Sequence, residues 1–159
     1  MITENEIPGT GSEIYGLGDI ARIEQQYRTA FNTNDQVSVY VLITNGLYRT
    51  GNVFGAAFRN TSICMFGKII HQRSGGVQVS IVNIESTVLN HEFGHLFGLV
   101  DFGTPMQTNH RDSDHGNHCN NATCLMDYGI ETDGSLLVGG TIPVFDVNCR
   151  NDLKANGGK

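Results

Sequence analysis

The sequence predicts an α+β domain on three observations: an amphipathic helical stretch, a following cluster of short β-branched runs, and a second, more apolar helix after them. Ile20, Ile23, Tyr27, Ala30 and Phe31 recur at helical spacing behind Asp19, a plausible cap, and predict a packing helix of about four turns. Val37 to Ile43 is dense in β-branched residues and reads as a buried strand. Shorter strands are expected at Val53–Phe58 and Ile63–Phe66, and a turn at Ser74-Gly75-Gly76. Val77–Ile81 alternates and reads as a further strand or as the approach to the next helix. That helix begins near Ile84. Ile84, Val88, His91, His95 and Gly98 form one stripe, and Leu89, Phe93, Leu96, Phe97 and Val100 a neighbouring one, so the helix is buried over much of its circumference. The expected fold is a twisted mixed sheet packed on the N-terminal and second helices, with an irregular C-terminal part.

At 159 residues the chain has the length of one domain with a real core, and it is ordered but loop-rich: 39% hydrophobic, 16% charged, 20 Gly and 3 Pro. Residues 1–16, with Pro8, Gly9, Gly11 and Gly16, read as a leader or linker, and 17–159 as the domain. The net charge of −6 and the lack of any Lys/Arg run argue against nucleic acid. No apolar run reaches the length of a membrane span, and the polar, acidic start is not a signal peptide. A cytosolic chain and one separated from its export segment both fit. Cys64, Cys119, Cys124 and Cys149 allow two disulfides in three pairings, and no CxxC is present. Asn60-Thr61-Ser62 and Asn121-Ala122-Thr123 are formal glycosylation sequons.

The chemistry concentrates in His91-Glu92-Phe93-Gly94-His95-Leu96-Phe97-Gly98, which reads HExxHxxG. Residues four apart share a helix face, so His91 and His95 can grip one metal ion, with Glu92 beside them to reach a water on it. The bland alternative is a helix with two surface histidines. It fits poorly, because on a buried helix each unpartnered polar group costs about 1–3 kcal/mol. Gly98 stands where a glycine can end the helix by turning left-handed. Beyond it, Gly103 to Asn121 is polar, rich in His, Asp and Asn, and long enough to be a functional loop. Residues 129–159 carry a few apolar stretches, Leu136-Leu137-Val138 and Ile142-Pro143-Val144-Phe145, and a Gly-rich tail.

HExxHxxG followed by a methionine turn resembles the metzincin clan of zinc endopeptidases. The resemblance covers about residues 84–129 and implies a zincin-like catalytic domain, with about 17–100 as upper and 101–159 as lower subdomain. It implies that Met126, in Cys124-Leu125-Met126-Asp127-Tyr128-Gly129, forms the Met-turn beneath the metal. Two residues compete as third ligand. Asp101 stands at the eleventh position of HEFGHLFGLVD, where metzincins place His and the snapalysin group places Asp. His118 opens HCxxxxCxM, which resembles the string archaemetzincins carry directly after HExxHxxGxx, here displaced by 17 residues. A related insertion occurs in the leishmanolysin-like branch, and each doubling of loop length costs only about 0.6 kcal/mol. His118 is preferred to Asp101, with His110 and His115 as further alternatives, because neutral imidazole is the commoner zinc ligand. With His118 as ligand, Asp101 falls to a hydrogen bond on a ligand or a cap on the helix end.

Archaemetzincins hold a second zinc on CxxC cysteines; here only Cys149 follows Met126, which argues against an all-cysteine site. A Cys119–Cys124 disulfide bracing the loop is expected instead, and with it an extracellular or cell-surface protein. The pattern also resembles membrane-anchored bacterial metalloproteases, whose soluble part would follow a lost N-terminal anchor.

The function implied is a zinc-dependent endopeptidase acting on peptide or protein as a monomer. Zn²⁺ lowers the pKa of its water to about 7, and Glu92 serves as general base. In astacin-like metzincins a tyrosine two residues after the methionine steadies the tetrahedral intermediate, which implies that role for Tyr128. An extended peptide is expected on a strand edge, Ile63–Phe66 or its neighbour. The alternatives are a non-catalytic zinc-binding or adhesion domain with the same fold, and a metal-dependent hydrolase of another substrate.

Overall fold

The computed structural model describes residues 1–73, 80–132 and 141–158. The expected turn at 74–76, most of the 77–81 segment and Leu136-Leu137-Val138 lie outside them. Among the described residues the chain forms β1 (Ile14–Tyr15), α1 (Leu17–Tyr27), β2 (Tyr40–Thr44), β3 (Leu47–Tyr48), β4 (Gly55–Arg59), β5 (Ser62–Phe66), α2 (Gly67–Arg73), α3 (Ile81–Leu96), α4 (Tyr128–Thr132) and α5 (Val147–Ala155). It is a mixed α/β structure with a small sheet, compatible with α+β. No described helix is long and apolar enough to cross a membrane.

The main sheet has the order β2-β5-β4, with β2 parallel and β4 antiparallel to β5. All five residues of β5 are buried, as befits a central strand covered on both faces. This corrects the expectation that a peptide could add to Ile63–Phe66: both edges of that strand are already paired. The edge on the α3 side is β4, since α3 packs against β4 and β5.

Helix α1 ends at Tyr27, four residues before Phe31, the last residue of the expected helix. Arg28 leaves the helix in an extended conformation, and its guanidinium donates to the carbonyls of Ala30 and Ser38 and to Thr61 Oγ1, which draws the chain away. Ala30 and Phe31 therefore lie outside the helix. Asp19 is not the cap residue; it sits in the first turn, where its carboxylate accepts from the Gly16 N–H at 2.9 Å. The expected strand at Val37 starts only at Tyr40, because Ser38 spends its N–H on Asn32 and its carbonyl on Arg28. Residues 14–15, assigned to the leader, instead pair with β3 in a two-stranded parallel sheet, and Tyr15 is buried.

Two apolar clusters result. The larger runs from Tyr15 to Val88 across the sheet and the helices. The smaller gathers Leu99, Val100, Cys119, Cys124, Met126 and Cys149 beneath the end of α3. Helix α3 spans both, and the site lies where they meet.

Candidate metal centre and cleft

The end of α3 is shaped by Gly98. At φ +77° it adopts the left-handed conformation, its N–H bonds the His95 carbonyl, and the next N–H, of Leu99, bonds Gly94. These are the paired bonds of a Schellman termination. A side chain at Gly98 would meet Thr104, whose N–H returns to the Gly98 carbonyl. The turn continues through Val100 (φ +54°) and Asp101 (φ +65°), a conformation that costs a β-branched residue such as Val100 on the order of 1–3 kcal/mol. It turns Asp101 outward: the side chain is 56% exposed and pairs with Arg111 at 3.1 Å. Asp101 is thus not among the groups that could hold a metal with His91 and His95.

His118 is. His91, His95, His118 and Glu131 bring one ligand atom each to within 4.8 Å of one another. The three imidazoles form a near-equilateral triangle, with ring centroids 4.8, 5.1 and 5.3 Å apart. Nδ1 of His91 lies 2.7 Å from the Leu125 carbonyl, and Nδ1 of His118 lies 2.7 Å from the His115 carbonyl. A carbonyl only accepts, so each Nδ1 carries the proton and each Nε2 presents a lone pair. Nε2 of His91 stands 3.1 Å from Nε2 of His95. Nitrogens about 2.0–2.1 Å from a tetrahedral zinc stand about 3.3 Å apart, so the spacing fits a shared ion.

Burial pushes the His91 pKa down to about 4, against a partial rise from the Leu125 carbonyl, and burial with the neighbouring imidazoles pushes His95 down to about 2. Both are neutral at pH 7, the state a ligand needs. For His118, burial pulls downward, but the Glu131 carboxylate and the His115 carbonyl outweigh it and the net shift is upward. Glu131 Oε2 lies 3.0 Å from His118 Nε2, yet that nitrogen has no hydrogen bond of good geometry: the carboxylate sits beside the ring nitrogen, off its axis.

Glu92 is 1% exposed, and neither carboxylate oxygen has a hydrogen bond of good geometry. Burial, with the nearby Glu131 charge adding to it and the Ala57 backbone N–H of β4 opposing it, holds its carboxyl well above the ordinary value. Glu92, His95, His118 and Glu131 line a cleft of about 240 Å³ whose far wall is Ala56 and Ala57 of β4. A larger apolar pocket, about 410 Å³, lies on the other side of α3 against Phe93, Phe97 and Phe145, away from these groups.

Met126 is fully buried under α3 at Gly94. A side chain at position 94 would overlap the Met126 sulfur and crowd the Phe145 ring. Gly94, between the two histidines, therefore lets the methionine segment rise against the helix and brings the Leu125 carbonyl to His91. Tyr128, at the start of α4, stacks on His115 (centroids 4.2 Å apart) and stands edge-on to His118 at 5.2 Å. His115 itself is exposed and pairs with Asp112.

The four cysteines are all free thiols. The expected Cys119–Cys124 disulfide is not formed, and the argument for an oxidising compartment built on it loses its support. The sulfur of Cys124 instead faces Cys149 at 3.6 Å and accepts from the N–H groups of Met126 and Asp146. Together with the Cys119 and Cys149 thiols, these donors pull the Cys124 thiol well down. His110, preferred by no sequence argument, is buried with this trio, its Nδ1 3.4 Å from Cys119 Sγ. Glu131 was missed altogether. It lies five residues past Met126 in no recognisable spacing, and is carried to the site by α4, whose Glu131 carbonyl accepts from Phe54 N–H beside β4.

Compared with family models, curated proteins and solved structures, the chain matches none.

Proposed function

We propose that the protein is a zinc-dependent endopeptidase in which His91, His95 and His118 hold the metal and Glu92 is the general base. The observation that carries this reading is the convergence of three imidazoles beside a buried carboxylate with no partner of its own. A purely structural site has no use for that acid. Zn²⁺, suited to neutral imidazoles, supplies Lewis acidity and brings the pKa of a water to about 7. Glu92 takes the proton of the attacking water and returns it to the leaving amine. The substrate lies extended along β4, whose Ala56 and Ala57 offer a small-residue wall and a backbone edge. To Tyr128, whose ring stands edge-on to His118, we assign the steadying of the scissile carbonyl oxygen. The left-handed turn at Gly98 and Met126 beneath the helix support a metzincin-like arrangement for the site.

One observation favours a second reading. Glu131 lies within ligand range of the three histidines, and four protein ligands make a closed, structural zinc site. In the peptidase, Glu131→Gln leaves stoichiometric zinc in place; in a closed site it weakens binding sharply.

The test is casein hydrolysis with and without a chelator, alongside zinc content. The peptidase reading expects activity abolished by chelation and restored by zinc, zinc lost in His118→Ala, and zinc retained in Asp101→Ala. A zinc-loaded, folded chain without hydrolysis of casein or of a peptide library overturns it.

A further inference from the structure

Two features of the cleft oppose each other. His91, His95, His118 and Glu131 together fill the four places of a tetrahedral ion and leave none for a substrate. The buried, unmatched carboxylate of Glu92 has a use only if substrate and water do reach that ion. We propose that Glu131 is a displaceable fourth ligand, which closes the centre at rest and gives way to the carbonyl oxygen of a bound peptide. This gate presupposes the peptidase proposed above and supplies its regulation.

The contact between Glu131 and His118 is that of two ligands rather than of a hydrogen-bonded pair. Glu131 Oε2 stands 3.0 Å from His118 Nε2, and His118 Nδ1 lies 2.7 Å from the His115 carbonyl, which can only accept. The neutral ring therefore turns a lone pair towards a carboxylate, and the buried Nε2 has no hydrogen bond. Two electron-rich atoms in contact away from water are costly unless a cation lies between them. Nitrogen and oxygen ligands about 2.0–2.2 Å from a tetrahedral zinc stand about 3.3 Å apart, so the spacing suits one shared ion.

Glu131 differs from the histidines in how it is held. His91 and His118 are fixed at Nδ1 by the Leu125 and His115 carbonyls. The Glu131 carboxylate has His118 as its one ion-pair partner among the described residues, and its side chain is 20% exposed against 9% for His118. Its backbone is anchored independently. The Glu131 carbonyl accepts from Phe54 N–H at 2.8 Å, and Ile130 beside it is fully buried. The side chain can therefore turn to solvent while α4 stays in place, and a carboxylate that does so regains its hydration. Glu131 lines the same cleft as Ala56 and Ala57, and its bond to Phe54 sets it against the start of β4. A peptide lying along β4 thus meets Glu131 as it enters.

Such a gate lowers the apparent affinity of anything that competes for the ion by the fraction of chains that are open. With one chain in about ten open, the loss is about tenfold.

Acetohydroxamate, a small zinc-binding molecule, tests this by calorimetric titration into the zinc-loaded full chain, with zinc content read alongside. Glu131→Gln removes the charge, and Glu131→Asp keeps the charge but shortens the reach. Both variants should retain the wild-type zinc content and bind acetohydroxamate about tenfold more tightly. Tighter binding in Glu131→Gln alone would be relief of charge repulsion and overturns the gate. A sharp loss of zinc from both variants makes Glu131 a permanent ligand and overturns it too. Casein hydrolysis by the wild-type chain separates the two readings. An active chain whose variants bind the probe no better keeps the peptidase and loses the gate. An inactive chain whose variants both bind it more tightly keeps the displaceable ligand and loses the peptidase.

Discussion

Two glutamates are buried to the same depth in different parts of this molecule. Glu24, on α1 against the sheet, is 2% exposed; Glu92, on α3 facing the cleft, is 1% exposed. Glu24 is matched on the spot. Arg28 Nη1 lies 2.8 Å from its Oε1, Ser62 Oγ donates to the same oxygen at 2.5 Å, and the other oxygen, without a hydrogen bond of good geometry, has the Arg59 guanidinium 3.0 Å away. Glu92 has no cation beside it and no hydrogen bond of good geometry; the Ala57 backbone N–H eases it only slightly, and the nearby charge that matters most is another acid, Glu131. A carboxylate in a low-dielectric interior is tolerated when it is paired. One region obeys that rule and serves the fold; the other breaks it, and the unmet demand marks the place where a metal and a water would sit.

The sharpest way to break this comparison is Glu92→Gln. Loss of the general base should cut hydrolysis by about 10²–10⁴-fold, while the metal-free chain should gain about 1–3 kcal/mol because a buried unpartnered acid is removed. Thermal unfolding in chelator reads the second effect and peptide turnover the first. The pH dependence has a definite sign. With its folded pKa raised above 4.5, Glu92 holds a proton in the folded state that the unfolded chain releases, so metal-free stability should fall as pH rises past about 4.5. Glu92→Gln should remove that slope; an unchanged slope would mean the carboxylate is not the group responsible.

Glu24→Ala should act in the opposite direction and without a catalytic signature. It strands Arg28, and breaking a buried pair costs about 3–5 kcal/mol. Denaturant midpoints would show the loss, with activity per folded molecule unchanged. A stabilised Glu24→Ala would collapse the distinction between the two acids.

The smallest effect is expected from the packing that connects the regions. Gly94→Ala places a methyl group where Met126 lies, and overpacking of this kind costs about 1–3 kcal/mol. Zinc affinity should fall along with stability, since Met126 and the Leu125 carbonyl that orients His91 move together. The double variant Gly94→Ala/Met126→Ala should recover part of both. A single variant with full zinc affinity would show that the methionine segment does not position the histidine.

Much of the helical part of this fold was legible. Ile20 and Ile23 announced α1, and the apolar stripes around His91 announced α3, because helical periodicity is a local property. The errors sit where distant partners intervened. Arg28 ended α1 by bonding Ser38 and Thr61, and Tyr40 rather than Val37 opened β2 for the same reason. The choice of β5 as a peptide edge failed because pairing order is not written in a strand's own residues.

The site divides the same way. The sequence by itself determined the pair His91 and His95, the acid beside them and the left-handed glycine after them, since all four follow from spacing along one helix and its end. Only the tertiary structure decided that His118 rather than Asp101 stands with that pair, that Glu131 joins it, and that His110 meets the thiols of Cys119 and Cys149. Strain at Val100 turns Asp101 to solvent, the long loop folds His118 back, and α4 and α5 deliver Glu131 and Cys149 from far along the chain. Those encounters depend on how loops and helices pack around α3, and no local spacing encodes them.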